Sequence, residues 1–121
     1  MKNKLLVLIF IFTLLPVISW GQSDITDIDL GSEGYTGYTI EDDGTYHFTG
    51  TFSGTPGQAI NESKDVKAVI NIAKDITATI ILEDVNISLT GENQCPLFVG
   101  DAKEITLMIK GINTLSTTNG S

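Results

Sequence analysis

Arginine is absent from the 121 residues, and histidine, cysteine and tryptophan occur once each. A single thiol, Cys95, excludes an internal disulfide and any zinc site built on several cysteines. It adjoins Pro96 and Leu97 in an apolar stretch, where a small buried hydrophobe is the simplest reading. Lysine is the only strong cation, and the chain carries fifteen acids. That balance argues against nucleic acid and anionic membranes as partners, because phosphates are held chiefly by Lys and Arg. His47 stands alone, with no Ser–His–acid pattern around it, and reads as a surface residue. Helical signals are also scarce: beyond the N-terminal segment, no window has apolar residues at i, i+3, i+4 and i+7 between caps.

What is present begins with an export signal over residues 1–21. Lys2 and Lys4 form a positive end, Leu5 to Leu15 is an apolar run broken only by Thr13, and Pro16 ends it. Ser19 and Gly21 place small side chains before a cut at Gln22. The run is shorter than the ~20 apolar residues of a membrane span, so no membrane insertion is expected after cleavage. The expected location is secreted or cell-surface. Cleavage removes Trp20 and two of the seven lysines, leaving five lysines against fifteen acids, a formal charge of −10. Residues 22–37 are polar and Gly-rich and read as a loose leader or a cap, and residues 38–121 form the domain.

Within the domain the period is two. Thr45–Phe52 and Ile76–Glu83 place apolar residues or Gly at even positions, and Ile105–Lys110 places them at odd ones. Val85, Ile87 and Leu89 continue the second run in the opposite phase, which predicts a bend or bulge near Glu83 and Asp84. Turn formers separate the runs at Asp42-Asp43-Gly44, Gly54-Thr55-Pro56-Gly57, Gly91-Glu92-Asn93 and Gly100-Asp101.

The chain also resembles itself. Thr79–Asn86 matches Thr106–Asn113 at an offset of 27, and Ala73–Thr77 matches Ala102–Thr106 at an offset of 29. Repeats of this length signal stacked units that bury one shared core. A parallel β-helix fits, with Val69–Ile72 as a strand on another face of the coil. Ile80 would lie over Leu107 and Leu82 over Ile109 as inward ladders, and Asn86 over Asn113 as an asparagine ladder at a bend. An antiparallel sandwich is the rival, but Asp43-Gly44 is the one clear hairpin signal. The sequence ends on Thr118-Asn119-Gly120-Ser121 with no closing element, so the solenoid is expected to be incomplete at its C-terminal end. An uncapped last coil would associate or fray.

The order of several segments resembles a bacterial secreted carbohydrate-binding family. Tyr38–Thr51 is similar to the family's opening strand, its Gly-Thr-Tyr turn and its second strand. Ala78–Ile87 is similar to its leucine, Val-Asn-Ile coil. Cys95–Val99, Ala102–Leu107 and Lys110–Leu115 then follow in the family's order. The resemblance implies an all-β, right-handed parallel β-helix of pectate-lyase-like shape. It further implies binding of a cell-wall-type polysaccharide without catalysis, and calcium ions. The alternatives are a polysaccharide lyase whose catalytic coils lie beyond Ser121, and a surface adhesin or stalk.

Candidate sugar contacts are Tyr35 and Tyr38, flanking Gly37 in a polar stretch, and the outward Thr77, Thr79 and Thr106. Tyr46, Phe48 and Phe52 share one strand face and read as core. Calcium takes six to eight oxygens, often from turn carboxylates and carbonyls. Glu83, Asp84 and Asp101 are the candidate ligands, with Asn86 as a neutral oxygen; solvated turn carboxylates are the plainer reading.

Overall fold

The computed structural model describes residues 24–60 and 65–118, which form nine β-strands and no helix. In chain order these are β1 (Ile25–Asp29), β2 (Tyr38–Ile40), β3 (Gly44–Phe52), β4 (Gln58–Ala59), β5 (Lys67–Ile72), β6 (Thr77–Leu89), β7 (Gln94–Phe98), β8 (Glu104–Lys110) and β9 (Thr114–Thr117). The export signal expected over residues 1–21 lies outside the described residues.

The chain passes back and forth between two sheets. The larger sheet has the order β1-β3-β6-β8, with β9 also paired to β6. The smaller has the order β2-β5-β4, with β7 also on β5. Every pairing is parallel except that of β4 with β5. Parallel neighbours need a crossover between them, and here each sheet supplies the crossover strands for the other. The scarcity of hairpin turns in the sequence has this cause. The segment 22–37, read as a leader or cap, contains β1. Ile28 and Leu30 are buried there, and β1 forms the outer edge of the larger sheet.

One core fills the space between the sheets. Phe48, Ile80 and Leu82 of the larger sheet share it with Ile40, Ile70 and Ile72 of the smaller. Tyr46, Phe48 and Phe52 are buried, as their shared face predicts. Tyr38 reaches across from β2 and sets its ring 6.1 Å from that of Phe48, nearly edge-on. Burying one large aliphatic or aromatic side chain contributes ~1.5–3 kcal/mol, and the stacked positions supply such residues layer upon layer.

The expected phase slip is a bulge inside the single long strand β6. Ala78, Ile80 and Leu82 point inward before it, and Val85, Ile87 and Leu89 after it. Thr49, Glu83 and Lys110 are stacked in register, and the residues that follow them, Gly50, Asp84 and Gly111, all have positive φ of 94°, 53° and 72°. The register resumes at Thr51, Asn86 and Thr114. The bend therefore holds one residue in the first layer, two in the second and three in the third.

The register corrects two readings of the repeat. Ile80 does lie beside Leu107 and Leu82 beside Ile109, at the offset of 27. The same offset holds at the strand entry, where Thr77 pairs with Glu104, so the alignment of Ala73–Thr77 at offset 29 is not the register. Nor does Asn86 stack on Asn113: it pairs with Thr114. Asn113 is the extra residue of the third bend. Its Oδ1 accepts a hydrogen bond from the Val85 amide at 2.7 Å, and its Nδ2 donates to the carbonyls of Leu82 and Lys110. A backbone group unpaired by the bulge is thereby satisfied by a side chain.

Candidate functional site

The outward face of the larger sheet collects most of the polar chemistry. Alternate residues of its parallel strands point the same way, and the register arranges them in columns. One column is Ile25, Thr45, Thr79 and Thr106. The next is Asp27, His47, Ile81 and Met108, and the last is Asp29, Thr49, Glu83 and Lys110. Thr77 and Glu104 open a further, shorter column. With strands ~4.8 Å apart, the Thr45–Thr79–Thr106 ladder presents three hydroxyls over about 10 Å.

Beside this ladder His47 binds two carboxylates. Its Nδ1 lies 2.8 Å from Asp27 Oδ1 on β1, and its Nε2 lies 2.8 Å from Glu83 Oε1 on β6. An ionised carboxylate only accepts hydrogen bonds, so both contacts are hydrogen bonds when both ring nitrogens carry protons, that is, in the imidazolium form. The Asp27 hydrogen bond, then that to Glu83, holds the His47 pKa above its ordinary value, and partial burial offsets this only in part. The imidazolium ties three adjacent strands together. Ile25, Asp27, His47, Ile81 and Lys110 line a shallow cleft here.

The candidate sugar contacts separate into two groups. Thr77, Thr79 and Thr106 share the outward face, with Thr79 directly beside Thr106. Tyr35 and Tyr38 do not join them. The Tyr38 ring packs inward, 6.0 Å from that of Tyr46. Tyr35 is half-buried against the margin of the core and lines a separate depression with Gly31–Gly34 and Thr51–Gly54.

The candidate calcium ligands are also dispersed. Glu83 is engaged by His47. The Asp84 carboxylate accepts a hydrogen bond from the Ile112 amide at 3.0 Å and serves the bend. Asp101 sits at the other end of the strand, where its carbonyl accepts from the Asp75 amide. The six steps of strand from Thr77 to Glu83 span about 20 Å. The three carboxylates therefore do not fit a single calcium site. Among the described residues no group of three or more His, Cys, Asp or Glu side chains is placed to hold a metal ion. Asp42-Asp43-Gly44 is a working turn: the Asp43 carboxylate accepts from the Thr77 amide, and the Asp42 carbonyl from the Tyr46 hydroxyl.

Sequence reasoning passed over Asp27 and His47 as members of a group with Glu83. Asp27 and His47 are twenty positions apart, in segments with no shared repeat, so only the pairing of β1 with β3 unites them. The alternation Ile25-Thr26-Asp27-Ile28-Asp29 was the available signal.

No family model matches the chain, and no curated protein or solved structure does.

Proposed function

We propose that this chain is a right-handed parallel β-helix module, exported to the cell surface or medium, that binds a cell-wall-type polysaccharide without catalysis. The outward face of the larger sheet is its binding face. The observation that carries this reading is the Thr45–Thr79–Thr106 ladder, flanked by Asp27, His47, Glu83 and Lys110 on four parallel strands. An extended glycan offers hydroxyls at repeated spacing, and a regular array of donors and acceptors complements it. The acidic chain favours a neutral or cation-bridged glycan over a densely anionic one. Visits to two largely parallel sheets in turn, at an offset of 27 between β6 and β8, support the β-helix.

The test is affinity electrophoresis through gels containing pectin, xylan, a cellulose derivative or no glycan, each with calcium and with chelator. Retardation by a glycan is the expected result, and its loss with chelator would assign calcium to the complex. Unchanged mobility in every gel would overturn the reading in favour of a stalk.

A further inference from the structure

Beyond the bend of the larger sheet lies a second depression, of about 250 Å³, which the threonine ladder does not use. Its walls are the turn that leaves β1, Gly31–Tyr35, and the segment Thr51–Gly54 at the end of β3. Both are internal segments of the described chain. The turn is fixed by hydrogen bonds of its own. Asp29 Oδ1 accepts from the Gly31 amide at 2.8 Å, the Asp29 carbonyl from the Ser32 amide at 3.2 Å, and the Ser32 carbonyl from the Tyr35 amide at 3.1 Å. The Leu30 amide donates to the Thr49 carbonyl at 2.8 Å and fastens the turn to β3. The depression is therefore formed before any ligand arrives, which lowers the cost of binding. Leu30 and Phe52, both buried, supply its apolar floor, and Tyr35 stands half-buried in its wall. Ser32, Glu33 and Ser53 are exposed around it, and among the described residues their side chains have no protein partner. Gly31, Gly34 and Gly54 carry no side chain to fill it.

An apolar floor, a phenol, hydroxyls and one carboxylate match a sugar ring, which has an apolar C–H face and a rim of hydroxyls. Sites for drug-sized ligands occupy ~300–1,000 Å³, so this smaller volume suits one sugar residue and not a longer segment. The charges narrow the class further. Glu33 is the one charged residue in the lining and no lysine joins it, so a uronate carboxylate is repelled. A calcium ion needs six to eight oxygens, and the neighbouring Asp29 carboxylate is already engaged by the Gly31 amide. The cleft beside His47 differs, because Lys110 lines it.

We infer that this depression is a second sugar subsite. It seats one neutral pyranose residue, with Tyr35 against the C–H face and Ser32, Glu33 and Ser53 on the hydroxyls. The inference rests on the reading of the chain as a polysaccharide-binding module, and it gives a single residue of the glycan a place outside the threonine ladder.

The experiment is an amide NMR titration of the purified protein with xylose, glucose, galactose and galacturonate, read at Gly31, Gly34 and Gly54. At least one neutral sugar should shift these amides saturably, and galacturonate should not. Tyr35→Ala should weaken the binding about tenfold or more, and Tyr35→Phe, which keeps the ring, should weaken it less. Glu33→Lys removes the repulsion at an exposed position and should admit galacturonate; it carries the test should Tyr35→Ala fail to fold. Silent glycines with every sugar would overturn the proposal. So would a folded Tyr35→Ala variant of wild-type affinity, galacturonate bound by the wild type as tightly as a neutral sugar, or a Glu33→Lys variant that still rejects galacturonate. Silent glycines in a protein that polysaccharide gels retard would remove the subsite alone. Silent glycines in a protein that no gel retards would remove the binding module with it.

Discussion

His47 shows how one side chain is set by strands distant in sequence. Its two nitrogens reach Asp27 and Glu83 at 2.8 Å each, and the ring spans three strands. Its folded pKa stands above the unfolded value of ~6.5. The stabilisation is therefore complete below about pH 6.5 and is lost as pH rises through the folded value. Urea unfolding of the wild type and His47→Gln at a series of pH values should show a gap of about 1 kcal/mol near pH 5 that closes toward pH 9. A gap that widens with pH would contradict the imidazolium. Asn113 is the second residue of this kind. Replacing it with Ala strips the Val85 amide and two carbonyls of their partner, and should lower stability by about 1–3 kcal/mol in the same assay. Neither role was legible beforehand. A lone His in a β-strand signals nothing until its neighbours across the sheet are known, and Asn113 was aligned with Asn86 because their flanking residues agree.

At the level of elements, the bend after Thr49, Glu83 and Lys110 organises the larger sheet. The phase slip after Leu82 announced it, because inward and outward positions exchange there and only an added residue does that. Its lengthening from layer to layer was hidden, since the offset of 27 holds up to Lys110 and breaks three residues later. Gly111 is held at φ 72°, and a Cβ there would collide with the Asp84 carboxylate. Gly50 meets the Asp29 carboxylate in the same way two layers earlier. Gly111→Ala should therefore cost about 1–3 kcal/mol, through backbone strain and displacement of the carboxylate from the Ile112 amide. Asp84→Gly should cost less, because it relieves a positive φ while giving up that one hydrogen bond. Thermal unfolding of the two variants gives the order; a Gly111→Ala variant as stable as the wild type would refute the account of the bend.

For the whole molecule, two largely parallel sheets enclose a core, and the larger turns a ladder of threonines to solvent. Parallel stacking was readable from the internal repeat, the Thr, Ile and Val alternation and the missing hairpin turns. The inward ladders of Ile80 with Leu107 and Leu82 with Ile109 followed from the same offset. The candidate face was half readable. Thr77, Thr79 and Thr106 fall on it by alternation alone, whereas Tyr35 and Tyr38 read as exposed from a polar, Gly-rich neighbourhood. That composition does not reveal that Tyr38 turns its ring onto Tyr46 and Phe48. Because the core is shared, damage at its centre should be felt by both sheets together. Phe48→Ala should lower stability by about 3–5 kcal/mol with one unfolding transition. Two separate transitions would mean that the sheets are independent.

The proposed binding surface is the threonine ladder, and its hydroxyls are what the glycan would read. The decisive measurement compares the wild type with the triple variant Thr45→Val, Thr79→Val, Thr106→Val in gels containing the glycan that retards the wild type. Valine keeps the branched shape that suits a strand and removes only the hydroxyls. The expected result is loss of retardation by the triple variant with unchanged mobility in glycan-free gels. Equal retardation of both proteins would contradict the account and move the binding surface elsewhere on the molecule.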